Sequence, residues 1–247
     1  MPKNLYVAWQ DQDTRAWHTF ARLRRIGGDY ELVFTRGAER LQSIPMNLFN
    51  MDLSKRYKSE ELIPLFQNRL PSRSRSDFRK MAKWLNLSGD ENQFDLLSRF
   101  GLIPGTDSIL IYPEPKIDSG EYHLEFFVHG IRHMGEEALK HCGLIGEGDR
   151  LLPVLDVQNP ADQNAVALRR EGDSVLIGYA PAFYASDLKT LLSSPRIANS
   201  ARITTVRNNE DAPTQLRLLC RFVSTVTPDF RALDTEEHKI LVDEAAA

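Results

Sequence analysis

Two hydrophobic periods alternate along the chain, and the points where one gives way to the other mark its elements. Leu5–Trp9, Trp17–Arg24 and Tyr30–Phe34 are short runs rich in aromatic and aliphatic residues, separated by Asp11-Gln12-Asp13 and Gly27-Gly28-Asp29. Such runs bounded by turn residues predict strands. The Gly-Gly-Asp step predicts a hairpin, because glycine reaches positive φ without a Cβ penalty. After an irregular stretch from Gly37 to Arg56 the period turns helical, first over Glu60–Phe66. Phe78, Met81, Ala82 and Leu85 then recur at helical spacing over Arg75–Leu85, with Ser74 and Asp77 as a capping box. Phe94, Leu97 and Phe100 share one side of Glu91–Arg99, which Asp90 and Gln93 start and Gly101 stops. Ser108–Tyr112 returns to strand.

The stretch Pro113-Glu114-Pro115-Lys116-Ile117-Asp118-Ser119-Gly120 has two prolines, a glycine and no period. That is the composition of a linker, and a domain boundary is expected there. Beyond it, Tyr122–His129 predicts a strand and Glu136–Cys142 a short helix. Arg150–Val157, Ala165–Arg169 and Val175–Tyr179 predict strands, and Pro181 suits the first turn of a helix running to Leu192. Ala201–Arg207 and Gln215–Val223 alternate as strands. From Thr235 the chain is polar and then Ala-rich, which predicts a frayed helical tail. The expected fold class is α+β: a mixed strand and helix domain over 1–117, a second domain over 118–232 and a tail over 233–247.

Composition changes this picture little. With 247 residues, 42% hydrophobic and 26% charged, the chain reads as globular. A net charge of −3 argues mildly against nucleic-acid binding, although the placement of Arg and Lys decides the matter. Arg69, Arg73, Arg75, Arg79, Lys80 and Lys83 face a single Asp77. Arg75, Arg79 and Lys83, four apart, share a helical face that could follow a phosphate backbone. A solvated helix face, or a surface for an acidic protein partner, are the alternatives. The two cysteines, Cys142 and Cys220, have no framework spacing and suggest a reducing compartment. No apolar run is long enough to span a bilayer, and the N-terminus lacks the apolar core of a secretory signal. A cytoplasmic location with no membrane contact is expected.

The richest stretch chemically is Leu155-Asp156-Val157-Gln158-Asn159-Pro160-Ala161-Asp162-Gln163-Asn164-Ala165-Val166-Ala167-Leu168, followed by Ile177-Gly178-Tyr179-Ala180-Pro181. Two apolar runs flank a turn of Asn, Pro and Asp, whose side chains bond nearby backbone and fix tight geometry. Such a turn holds Asp162 at the rim of a sheet. This passage resembles the HIRAN family, whose pattern runs P-N-N-P-x-D-x-N-A-I-x-V and later G-[HY]-x-P. The resemblance implies a small β-barrel with one principal helix after Pro181, and binding of single-stranded DNA, in some members at a free 3′ end.

The resemblance also implies roles. Asp162 matches the acid that accepts a hydrogen bond from the terminal 3′-hydroxyl. A carboxylate accepts from a hydroxyl and repels a phosphate, so it favours a free end. The bland alternative is that Asp162 only caps its own turn. The family places a stacking aromatic beside this acid, where Ala161 stands here. Gly130-Ile131-Arg132-His133 matches the family's G-x-R-[YF]. Arg132 would then meet a phosphate or a base, and His133 could stack. Tyr179 matches a position that contacts the DNA backbone; the alternative is a rim aromatic packed under Phe183. Asn164 is expected to bond the turn backbone, and Lys189 lies outside any pattern.

In the first domain, Leu65-Phe66-Gln67-Asn68-Arg69-Leu70-Pro71, the helix after it, and Phe94-Asp95-Leu96-Leu97, Gly101 and Thr106-Asp107 resemble the N-terminal subdomain of HipA-type toxin kinases. Ser72 replaces an acidic residue of that pattern, and no kinase lobe follows.

His123, His129, His133 and His141, with Cys142, invite a metal reading. A strand followed by a turn does not put His129 and His133 on one face, so no metal and no cofactor are expected. No G-x-S-x-G, P-loop or H-E-x-x-H motif is present. The reading is therefore a non-catalytic DNA-binding protein for single strands or DNA ends, acting as a recognition or adaptor subunit in repair or in defence against foreign DNA. Its competitors are a regulatory partner of a HipA-like toxin–antitoxin kinase, and a nuclease assembled from Asp118, Glu121, Asp149 and Asp156.

Overall fold

The structure, a computed structural model, describes residues 3–40, 51–103 and 108–242. It divides into two compact units. The first comprises Met1–Arg79, Ser88–Glu114 and Leu233–Ala247; the second comprises Lys80–Leu87 and Pro115–Ala232.

The first unit is built on an antiparallel five-stranded sheet. Its strands are β1 (Asn4–Gln10), β2 (Trp17–Ile26), β3 (Asp29–Phe34), β4 (Tyr57–Ser59) and β5 (Ile109–Pro113), in the order β4-β3-β2-β1-β5. Gly27 and Gly28, both at positive φ, turn β2 into β3 as the hairpin signal predicts. Leu5, Val7 and Trp9 of β1 pack with Phe20, Leu23, Leu32 and Ile111 and with Phe66, Phe94 and Leu97 from helices α1 (Pro64–Gln67) and α3 (Gln93–Phe100). Tyr6, on the other side of β1, meets Tyr112 and the buried ring of His238. Both sides of β1 are therefore covered, and its residues Leu5 to Trp9 are buried without a break.

Three local expectations give way here. Of the helix expected over Glu60–Phe66 only the part from Pro64 forms, as the start of α1, because Pro64 fits only a first helical turn; the residues before it are irregular and follow strand β4. Helix α2 runs Phe78–Trp84 and begins after the expected capping box. Asp77 instead pairs with the Arg75 guanidinium at 2.9 and 2.8 Å, and the Ser74 hydroxyl bonds that of Ser72. Helix α3 is capped by Asn92, whose Oδ1 accepts from the backbone of Phe94 and Asp95; Asp90 is not the cap. Gly101 follows α3 at negative φ. A Cβ there would lie 2.6 Å from that of Ile111, so the glycine serves a close approach rather than a left-handed stop.

The tail also differs from expectation. Glu236–His238 forms a 3-10 turn, Thr35 bridges to Ile240, and Glu237 accepts from the Thr19 backbone N–H. Burying the His238 ring against Tyr6 and Tyr112 supplies the apolar area that the tail's polar composition hides. Residues 41–50 of the irregular stretch, Thr106-Asp107 and residues 243–247 lie outside the described residues.

The second unit carries a seven-stranded antiparallel sheet. Its members are β6 (Lys116–Asp118), β7 (Glu121–Phe127), β8 (Arg150–Leu155), β9 (Val166–Arg170), β10 (Leu176–Tyr179), β11 (Arg202–Asn208) and β12 (Leu218–Thr225), in the order β10-β9-β8-β11-β12-β7-β6. Its core comprises Tyr122, Leu124, Phe126, Val166, Leu168, Ile177, Ile203 and Phe222, with Tyr184, Leu188 and Leu191 from helix α5 (Ala182–Ser193). Helix α4 (Gly135–Gly143) and the short α6 (Pro195–Ala198) complete the unit.

The expected linker is part of this sheet. Lys116–Asp118 pairs with Glu121–His123 around Ser119 and Gly120, both at positive φ. A short exposed edge strand preceded by two prolines has no hydrophobic period to betray it. The expected closed barrel is also corrected: β6 and β10 are edges, and one isolated bridge, His129 to Tyr179, links the end of β7 back to β10. The ladder stops there because Gly130, at φ +76°, turns the chain away.

Candidate functional site

The turn between β8 and β9 builds itself from its own side chains. The Asp156 N–H donates to Ala165 O at 2.9 Å and closes the loop. Inside it, Asn159 Oδ1 accepts from the N–H of Ala161 (3.0 Å) and of Asp162 (3.2 Å), and Asp162 Oδ1 accepts from the Asn164 N–H (2.8 Å). These are the Asx bonds that make Asn and Asp turn formers. Asp162 is half-buried and does cap its own turn. Only one carboxylate oxygen is used so; Oδ2 has no partner among the described residues.

Asp156 ties this turn to β10. Its Oδ2 accepts from Asn159 Nδ2 at 3.1 Å and from the Tyr179 hydroxyl at 3.0 Å. Loss of hydration and that acidic neighbour raise the Tyr179 pKa, so the phenol stays protonated and donates. The Tyr179 backbone exchanges two hydrogen bonds with His129, at 2.8 and 2.9 Å. Gly178 makes this approach possible. Its φ is +150°, and a Cβ there would fall 2.5 Å from His129 O and 2.6 Å from Val128 Cγ1. The Gly-Tyr pair is thus a steric requirement, since only glycine lets the two segments meet.

Past His129, Gly130 opens the 3-10 turn Ile131–His133. Arg132 and His133 are both exposed, and Arg132 Nε donates to His133 Nε2 at 2.9 Å. A Cβ on Gly130 would lie 3.8 Å from the Tyr179 ring, which places this turn beside the phenol. A continuous set of hydrogen bonds therefore runs from His129 through Tyr179 and Asp156 to Asn159 and Asp162, and the Arg132 turn follows His129 directly in the chain. The Phe183 ring meets His129 and Tyr184.

Two residues, one in this set and one supporting the turn from outside it, escape a reading of the sequence. Asp156 stands among scattered acids and becomes central only through Tyr179. Lys189, on α5, donates from Nζ to Gln163 O and to Asn164 Oδ1, both at 3.0 Å. Asn164 therefore bonds Lys189 with its side chain rather than the turn backbone. The turn's polarity was a signal that it needs outside support, but nothing in the spacing names the partner.

The basic face does not form as expected. Arg75 precedes α2 and is engaged by Asp77, so the triad with Arg79 and Lys83 does not lie on one helix. Arg79 and Lys83 are exposed, Arg79 in the first unit and Lys83 in the second. Lys80 pairs with Asp211, which also accepts from the Trp84 indole N–H.

The histidines go separate ways. His141 is paired with Asp173, His123 with Glu121 at 3.5 Å and His133 with Arg132. The His129 ring, packed against Phe183, is held neutral by desolvation at a pKa of about 4. Among the described residues no group of His, Cys, Asp or Glu is placed to hold a metal. Cys142 and Cys220 are buried and free, and burial pushes the Cys142 thiol up to about 11. No helix among the described residues is long and apolar enough to cross a membrane.

Residues 121–227 match the model of the HIRAN domain. No curated protein matches the chain. Two solved structures are similar to it. The HIRAN domain of human HLTF is 12% identical, covering 45% of this chain and 84% of that one, with a TM-score of 0.34. A protein from Lactobacillus plantarum is 14% identical, covering 44% of this chain and 100% of that one, with a TM-score of 0.33. The HIRAN resemblance therefore holds over 121–227, whereas the HipA resemblance of the first part finds no support in these comparisons.

Proposed function

We propose that the HIRAN domain of residues 121–227 binds single-stranded DNA and favours a free 3′ end. The observation that carries this reading is the bonded path from His129, which the Arg132 turn follows directly, through Tyr179 and Asp156 to Asp162. It supports a rim with a cation near one end and a half-used carboxylate near the other. Arg132 would meet a phosphate, His133 and the Tyr179 ring would flank the strand, and Asp162 Oδ2 would accept from the terminal 3′-hydroxyl. Ala161 offers no ring to the last base, so the hydroxyl contact carries the preference for an end. Lys83, in the same unit, would add phosphate attraction without base or end selectivity. Without a catalytic motif, the chain serves as a recognition or adaptor subunit, in DNA repair or in defence against foreign DNA.

The test uses labelled strands that end in a 3′-hydroxyl or a 3′-phosphate, titrated with the full chain. The parent is expected to prefer the hydroxyl end. Asp162→Asn keeps an Oδ1 to cap the turn and removes the charge, so it should erase the discrimination against 3′-phosphate while the chain stays folded. A discrimination left intact would sink the assignment of Asp162, and no binding of any strand would sink the whole reading.

A further inference from the structure

Lys189 is bonded only to neutral acceptors. Its ammonium carries three protons. Two are given to Gln163 O and Asn164 Oδ1, the two residues that follow Asp162 in the turn. The side chain is half-buried, and among the described residues no carboxylate pairs with it. On the strands of the same sheet, Arg150, Arg170, Arg207 and Arg221 each meet one, namely Glu171, Asp149, Glu147 and Glu125, whereas Arg169 and Arg202 donate to the backbone carbonyls of Asp173 and Ser200. A partly desolvated cation without a counter-charge is costly to keep unless an anion visits it. A lysine that only propped the turn could be replaced by any neutral donor, and the positive charge would then be a burden.

We infer that Lys189 is a phosphate-binding residue of the DNA site, holding the Gln163-Asn164 segment with two protons and giving the third to a phosphodiester of the bound strand. The inference rests on the function proposed above. It adds a cation on α5, outside the residues matched to the family pattern, and explains how a turn bearing Asp162 can sit against a polyanion: the ammonium offsets the repulsion between that carboxylate and the strand's phosphates. Arg132, whose Nε bonds the His133 ring, would be the cation on the Tyr179 side.

The experiment measures binding of a 5′-labelled oligothymidylate with a free 3′-hydroxyl across a potassium chloride series, using the full chain. One lost phosphate contact makes log K against log salt shallower by about 0.7 for a single strand. Lys189→Met is expected to show that change, with affinity at low salt down about 3- to 10-fold, and Lys189→Arg is expected to keep the parent slope. Should the Met variant lose its unfolding transition, Lys189→Gln, neutral but still a donor, must show the same shallower slope. A folded neutral variant with the parent slope overturns the inference and leaves Lys189 as a prop of the turn. A parent that binds no strand overturns both this inference and the function beneath it.

Discussion

Tyr112 and Tyr179 present the same chemistry in two settings. Each is a strand tyrosine whose hydroxyl bonds a titratable side chain. Tyr112 is fully buried: its hydroxyl meets Thr19 Oγ1 at 2.6 Å and His238 Nε2 at 2.7 Å, and His238 Nδ1 goes on to Thr235 at 2.6 Å. Every polar atom named there has a partner, and Tyr112, Thr19 and His238 are all buried. Tyr179 is half-exposed, and the network it joins ends on Asp162 with one carboxylate oxygen open. A closed network in low dielectric contributes to stability and has nothing left to offer a ligand. One that is anchored on the inside and unfinished on the outside can receive one.

The comparison breaks most visibly at His238. His238→Ala removes a buried ring packed on Tyr6 and takes one hydrogen-bond partner each from Thr235 and from Tyr112, which keeps Thr19, so it should cost about 2–4 kcal/mol of folding stability. Chemical denaturation checks this, and strand affinity of the folded fraction should not move. Acid probes the same residue. Burial lowers His238 to about 4, against an ordinary value of 6.5. As pH falls the unfolded chain takes up the proton first. The contribution is therefore complete above pH 6.5 and is lost progressively down to about pH 4, at up to about 1.4 kcal/mol per pH unit. His238→Ala should flatten that part of the stability profile, and an unchanged profile would acquit the residue.

A smaller effect separates the two phenols directly. Tyr112→Phe leaves Thr19 and His238 facing a dry gap and should cost about 1–3 kcal/mol, whereas Tyr179→Phe should cost at most about 1 kcal/mol, since Asp156 keeps Asn159 and reaches water. For DNA the order reverses: Tyr179→Phe should weaken binding several-fold and Tyr112→Phe should not. The smallest effect on folding belongs to Arg132→Ala, within about 0.5 kcal/mol, with all strands weakened alike. A loss confined to strands with a 3′-hydroxyl would place Arg132 at the end-binding step instead.

What could be read from the sequence followed from chemistry that is local. The Gly27-Gly28 hairpin, helix α5 behind Pro181 and the Asx turn around Asp162 depend on residues next to one another in the chain. The errors arose where a distant partner decides. Lys116–Asp118 looks like linker until β7 pairs with it, and the tail looks frayed until His238 finds Tyr6 and Tyr112. The barrel failed for a subtler reason, because a single residue pair, His129 with Tyr179, joins the ring of strands and Gly130 then diverts the chain. In the site, the turn and Gly178-Tyr179 were legible, whereas Asp156 and Lys189 acquire their roles only through Tyr179, Gln163 and Asn164.

Gly178 sets how freely this surface can diversify. Asp162, Arg132 and Lys189 sit on turns and a helix outside the strands, so in the site proposed here exchanging them is expected to retune binding while the strands stay put. At position 178 the smallest added methyl would push against a carbonyl and prise the β10 edge from the segment leading to Arg132. Drift or design at this protein can therefore rewrite its preferences residue by residue, provided one hydrogen atom is never traded for carbon.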